Sequence, residues 1–323
     1  MNIHKPSFKI NRRKFIQVTG CAALSAGCSI QASEEKVQSE TLVKEFYKSL
    51  SSSQKKVMAF PWDHKKQSYI SNNWDVVDPD DYSIGEFYSS SQQKLIHRIF
   101  SGLLTVNGRK NYMIQMKDDA GGFGDYTCAT FGDPSTGKFE WVLTGRHLTL
   151  RADGNSIDKV AFGGPVFYGH APRFAEKPHH PGNVWWHQAV KANELFKALD
   201  ATQQKAALLD DAPGDHRNSA KLRPAGTKFD GISGKSLNEM QKKLLQETLD
   251  SLFASYRNSD VEEAVKYLHM AGGLDSLHIA FYEEDDLGDD RVWDRWRIEG
   301  PGFVWYYRGS PHVHSWVNIG EPT

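Results

Sequence analysis

The residues of this chain best suited to chemistry are histidines. His312 and His314 flank one residue, Val313, in a stretch (PHVHSWV, 311–317) that reads as a strand. Side chains two apart on a strand leave the same face, roughly 6–7 Å apart along the chain, so both imidazoles can reach one metal ion. His147, which opens the predicted strand His147–Leu150, is the best third ligand, and His170 in Tyr168-Gly169-His170 is a candidate fourth. Three or four imidazoles suit Zn or Cu, whereas Ca and Mg prefer oxygen. The plainer role for such histidines is to bond at a strand edge or fill half-buried surface. The residue types leave open whether a metal would serve hydrolysis, redox chemistry or metal handling. A metalloenzyme would also need a general base, for which Glu140, Asp294 and Glu299 are the candidates.

Other constellations point less sharply. His179, His180 and His187 surround Pro181 and Trp185-Trp186, as a metal-binding or gating loop would, or a connector that docks its two Trp residues. The acidic run 283–290 (EEDDLGDD) lacks the alternating ligands and distal Glu of a Ca loop and reads as a turn between strands. Gly132–Lys138 (GDPSTGK) nearly spells a phosphate loop, but Phe139 follows where a hydroxyl is needed, and the next residues read as strand. Gly-x-Ser-x-Gly, His-Glu-x-x-His and Gly-x-Gly-x-x-Gly do not occur, so serine-esterase, standard zinc-protease and dinucleotide chemistry have no motif support. Trp293, Trp296, Trp305, Tyr306, Tyr307 and Trp316 crowd the last predicted strands. If alternation left some of them exposed, the protein could instead be a metal-free module that binds glycan or peptide. Cross-strand packing inside a covered sheet is the competing reading.

The elements that must hold these residues recur. FYKSLSSSQKK (46–56) lies over LFKALDATQQK (195–205), and GEFYSSSQQKLI (from Gly85) over GKSLNEMQKKLL (from Gly234), both at an offset of 149. Weaker matches pair Tyr126 onward with Leu277 onward and Trp141–Gly145 with Trp296–Gly300, as a small insertion would cause. Collinear matches at one offset point to a tandem internal duplication, with a first repeat over 41–180 and a second over 181–323. In each repeat, amphipathic helices (Leu42–Leu50 and Gln92–Leu104; Ala192–Leu199 and Glu239–Tyr256) precede short strands. Strands are predicted at Asp125–Phe131, Phe139–Leu143, His147–Leu150 and Lys159–Phe167. Their counterparts are Leu277–Tyr282, Val292–Ile298, Phe303–Tyr307 and Val313–Val317. Asp153-Gly154 carries a hairpin signal, and Pro172–Val184 is the connector. Helices followed by an antiparallel meander make the fold class α+β.

The start of the chain sets the expected compartment. Asn11-Arg12-Arg13-Lys14-Phe15-Ile16 and the short apolar stretch 15–27 resemble a twin-arginine export signal; a membrane-spanning helix would need ~20 apolar residues. Leu24–Cys28 reads as a lipobox with Ser25 out of pattern, leaving both lipidation at Cys28 and free release open, and residues 28–40 suit a tether. The expected location is therefore periplasmic or lipid-anchored at the cell envelope, with membrane contact only through the signal or anchor. Removing residues 1–27 takes five basic residues and no acidic one, leaving 34 basic against 40 acidic. That balance argues against a nucleic-acid partner; a small molecule or a cell-envelope component fits the compartment better. Beyond Cys28 only Cys128 remains, so packing rather than disulfides must hold the core, for which 9 Trp, 12 Tyr and 17 Phe are ample.

With MAFPWDH, FGDP, GRHLTL, FYGHAP and EGPGFVWYYRGSPHVHSWVNI added to that start, the chain resembles the exported bacterial family labelled domain of unknown function 3500, over essentially the whole mature length. The resemblance brings no established activity. It implies Gly-His-His where this chain has Gly145-Arg146-His147, and Asn-His-x-His where it has Pro311-His312-Val313-His314. Arg146 and Pro311 depart from that pattern, while His147, His312 and His314 match it.

Overall fold

Four helices of seven residues or more, with two four-residue helices at Pro79–Tyr82 and Ile84–Phe87 among them, open the described part of the chain, which in this computed structural model comprises residues 39–154 and 156–323. The twin-arginine segment, the lipobox and all but the last two tether residues lie outside it. Residues 39 and 40 already belong to the first helix, α1 (39–49), and are buried, with Glu40 bonded to Arg257 at 3.2 Å. Helices α2 (Ser52–Met58), α3 (Ser90–Gly102) and α4 (Val106–Ala120) follow. The second half carries α5 (Trp186–Ala198), α6 (Ala201–Ala207), α7 (Glu239–Phe253) and α8 (Asn258–Met270). Helices α2, α4, α6 and α8 have no counterpart among the sequence expectations. The period of α4 is masked because its buried face carries Gly108, Gln115 and Asp119 beside Tyr112 and Met116, while the apolar Val106 is exposed.

The local chemistry that starts these helices recurs at the same spacing. Ser51/Gln54, Ser89/Gln92, Asp200/Gln203 and Asn238/Gln241 are capping boxes, in which side chain and backbone satisfy each other's orphan groups. Gln54 and Gln92 also exchange amide hydrogen bonds at 3.0 Å, as Gln203 and Gln241 do at 2.7 and 3.2 Å. Gln92 further donates to Ser49 O, and Gln241 to Ala198 O, again 149 residues on. A buried amide with every donor used fixes how two helix starts meet, because each unmade bond would cost about 1–3 kcal/mol.

The strands are β1 (Ala59–Phe60), β2 (Thr127–Asp133), β3 (Lys138–Gly145), β4 (Leu148–Ala152), β5 (Val166–His170), β6 (Leu208–Leu209), β7 (Ile232–Ser233), β8 (His278–Tyr282), β9 (Arg295–Gly300), β10 (Phe303–Arg308) and β11 (Val313–Ile319). They form one sheet in the order β1-β2-β3-β4-β5-β11-β10-β9-β8-β6, with β7 also on β8. The order reads alike from either edge. A two-residue parallel strand flanks each end, antiparallel meanders run inward, and β5 meets β11 antiparallel at the middle. The α+β class therefore holds. The predicted strand Lys159–Phe167 instead begins with a 3-10 turn at Ala161–Gly163, and the strand proper is β5. Asp153-Gly154 does lie between two antiparallel partners, β4 and β5, but their connection is long and passes through Ala161–Gly163; the tight turn is Arg146-His147, between β3 and β4.

The sheet is covered on both sides. Helices pack on one face, where Trp305, Tyr307, Val313 and Val317 join Phe46, Phe100, Tyr112, Leu195 and Leu249 in the main core. Irregular segments cover the other, where Phe167, Tyr306 and Trp316 pack with Ala220 and Leu222. Trp293, Trp296, Trp305, Tyr306, Tyr307 and Trp316 are thus all buried, none more than 7% exposed, so these residues do not form the exposed aromatic face expected of a glycan- or peptide-binding module. Alternation does send them to opposite faces; both faces are simply roofed. Among the described residues no helix is long and apolar enough to cross a membrane.

Candidate metal centre

The register of the central strands places the site. His314 pairs with Gly169 of β5 and with Arg308 of β10, so His312, His314 and Arg308 share the loop-covered face with Trp316. His147 arrives from the β3–β4 turn. Its backbone is left-handed (φ 57°), a conformation that costs a non-glycine residue about 1–2 kcal/mol. The equivalent place in the Pro301-Gly302 turn between β9 and β10 is a glycine (φ 68°), the residue such a turn ordinarily takes. His147 is held there at three points: its N–H donates to Asn72 O (2.9 Å), its O accepts from Gln115 Nε2 (2.8 Å), and its Nδ1 donates to Asp119 Oδ2 (2.8 Å). Gly169 gives the ring room, because a Cβ there would lie 3.3 Å from His147 Cβ and Cγ and 2.2 Å from Val313 O.

The three imidazoles converge and are buried, His147 1%, His312 7% and His314 5% exposed. Their ring centroids lie 4.7–5.0 Å apart, and one nitrogen from each falls within 4.8 Å of the others. Every Nδ1 is committed outward. His314 Nδ1 donates to Asp215 Oδ2 (3.0 Å) and His312 Nδ1 to Phe174 O (3.2 Å), as His147 Nδ1 does to Asp119. A carboxylate or carbonyl only accepts, so each Nδ1 carries the proton and each neutral ring presents a bare Nε2 lone pair. Yet His312 Nε2 and His314 Nε2 stand 3.0 Å apart. Two lone pairs facing at that distance repel, and a cation shared between them would relieve the repulsion.

A proton is poorly placed to be that cation. Burial, with the nearby His147 and Arg308, lowers the His312 pKa to about 4. Burial drives His314 well below its ordinary value, against the opposing pull of Asp215. Burial lowers His147 too, with Asp119 opposing and Arg146 and Arg308 adding to it. Asp215 stays a carboxylate: burial raises its pKa, but the bond from His314 and the charge of Arg308 outweigh this. Deprotonated imidazoles, each backed by an oxygen acceptor, are the arrangement in which proteins hold transition metals. Zn–N bonds of ~2.0–2.1 Å in tetrahedral geometry put ligand nitrogens about 3.3 Å apart, close to the 3.0 Å of the His312–His314 pair and inside the 4.8 Å span of all three.

His170 takes no part. It pairs with Val313, one register step from His314, so it points to the helix face. There both nitrogens are used, Nδ1 by Val184 N–H (3.1 Å) and Nε2 by Asp118 (3.2 Å). The connector histidines do not assemble a centre either. His180 bonds the buried Asp294 at 2.7 Å, His179 lies edge-on to Trp186, and His187 bonds Val184 O. Glu140, Asp294 and Glu299 are engaged elsewhere, with Arg151, with His180, and with Arg223 and Arg297 respectively. In the acidic run, Glu284 and Asp285 pair with Arg295. Gly132–Lys138 is the β2–β3 turn, capped by Asp133 on Ser135. Cys128 is buried and free. Sequence reasoning missed Asp119, Asp215 and the Phe174 carbonyl, which come from elements 28, 99 and 138 residues away from the rings they bind.

The description "protein of unknown function (DUF3500)" matches residues 32–318 of the chain. The chain belongs to that family. No curated protein and no solved structure matches it. Membership covers α1 through all but the last residue of β11 and every residue of the histidine centre, so the centre lies inside the family's extent rather than in an appended segment.

Proposed function

We propose that this DUF3500 protein binds one transition-metal ion through Nε2 of His147, His312 and His314. The observation that carries this reading is the 3.0 Å approach of two Nε2 atoms whose rings are already committed at Nδ1. Three neutral imidazoles favour Zn or Cu, and they leave one tetrahedral position open for water or a ligand. That open position suits Lewis-acid or redox chemistry equally. With the aromatic surface buried, the metal reading has no competitor from that quarter.

The site's place in the chain supports two further parts of the reading. The twin-arginine-like start and Cys28 favour an exported protein, released in the periplasm or lipid-anchored, acting on a small molecule or a cell-envelope component. The mirrored sheet order and the glutamine contacts repeated 149 residues apart favour a tandem duplication. In that reading the glycine of an ancestral turn, kept as Gly302, was replaced by a ligand in one half only, as His147. Metal analysis of protein purified from the exported fraction tests the central claim: one ion per chain in the wild type and none in His312→Ala/His314→Ala is expected. Equal content in both would refute it.

A further inference from the structure

We propose that the open coordination position of the loaded centre takes an oxyanion, the carboxylate or phosphate end of a ligand, gripped by Arg308 and Arg146; this rests on the metal reading above. Arg308 stands directly across from His314 in the β10–β11 register and on the same face. Its Nη1 donates to Asp215 (2.6 Å) and its Nη2 to His312 O (3.2 Å), while Nε, buried, has no partner. An unpaired buried guanidinium N–H is costly unless something accepts from it, and nitrogens of one planar fork match two oxygens of a carboxylate or phosphate.

Arg146 adds the second charge. It adjoins His147 in the turn, its Nη1 reaches only Asn73 Oδ1 at a long 3.4 Å, and no carboxylate forms an ion pair with it among the described residues. The positive charges of both arginines bear on His312. The two carboxylates that touch the ligand rings, Asp119 and Asp215, balance the two arginines, so a divalent ion leaves the centre with its full charge of about +2. A neutral or cationic ligand would leave that charge unmet; an anion neutralises it while completing the coordination shell. Phe174, 79% exposed and with its ring 6.1 Å from His312, marks the side from which such a ligand would enter.

The experiment loads the full chain with one equivalent of Co²⁺, or Cu²⁺ where that is the ion retained, and titrates inorganic phosphate and acetate at constant chloride, reading the visible spectrum. Saturable shifts are expected in the wild type, the tighter anion telling a phosphate from a carboxylate ligand. Arg146→Gln and Arg308→Lys should each weaken binding about tenfold or more while the metal stays at one per chain. Arg146 is half-buried at the turn, so its variant reports even if the buried Arg308→Lys fails to fold. A metal spectrum that neither anion changes beyond the effect of chloride, or variants that bind as the wild type does, overturns the proposal. Absence of any metal spectrum overturns the metal reading itself, and this one with it.

Discussion

Asp119→Asn separates a metal ligand from a merely buried histidine. The Asp119 side chain is fully buried, accepts from His147 Nδ1 at 2.8 Å through one oxygen, and accepts from Ala171 N–H at 2.9 Å through the other. An amide of the same shape has one acceptor for two donors. If its oxygen keeps Ala171, its NH₂ faces the Nδ1–H of His147, and the ring can make a bond only by moving its proton to Nε2, which removes the lone pair a metal needs. If the oxygen turns to His147, Ala171 N–H is left unmatched. Either outcome leaves one buried donor unsatisfied, worth about 1–3 kcal/mol. Loss of a carboxylate behind a ligating His typically weakens metal binding about 10–100-fold, or ~1.4–2.7 kcal/mol. Competition against a chelator of known affinity measures the metal term, and thermal unfolding of the metal-free protein measures the rest. A variant that loses stability but keeps wild-type metal affinity would show that His147 is no ligand.

Other consequences follow from the same geometry. Gly169→Ala puts a Cβ 2.2 Å from Val313 O and against His147, so metal-free stability should fall by about 1–3 kcal/mol by denaturant titration, with weaker metal binding; wild-type values for both would refute the packing described. Because burial holds all three imidazole pKa values below normal, protons compete with the metal only at acid pH. Affinity should stay nearly flat from pH 7 down through 6.5 and fall below that, with His312 taking up its proton only as pH approaches about 4. A tenfold loss per unit already above pH 6.5 would contradict it. The same shifts favour the folded state above pH 6.5 and lose that advantage as pH falls toward 4, since the unfolded chain takes up the protons first. Gln92→Ala and Gln241→Ala each remove a capping contact, a glutamine pair and a carbonyl bond, so each should cost about 2 kcal/mol, and nearly the same; a difference beyond about 1 kcal/mol would break the equivalence of the two halves.

Much of this was legible in the residues. Parity alone puts His312 and His314 on one face, and the 149-residue spacing of Gln92 and Gln241 anticipates the matching helix starts. Parity is silent on His170, because which face of β5 looks toward His314 depends on pairing between distant strands, and one register step reverses it. Asp119 and Asp215 carry no local sign, one at the end of a weakly patterned helix and the other in an irregular segment between β6 and β7. The fate of the aromatic residues turned on whether loops roof the second face, which alternation cannot report.

The central claim is most directly tested by X-ray absorption at the edge of whichever metal the purified protein retains, with stoichiometry measured on the same sample. One ion per chain with three imidazole nitrogens at about 2.0–2.1 Å and one further light ligand is expected, the imidazole scattering diminished in His147→Ala. A metal-free sample that takes up no Zn²⁺ or Cu²⁺, or an ion with an oxygen-only shell, would contradict the account.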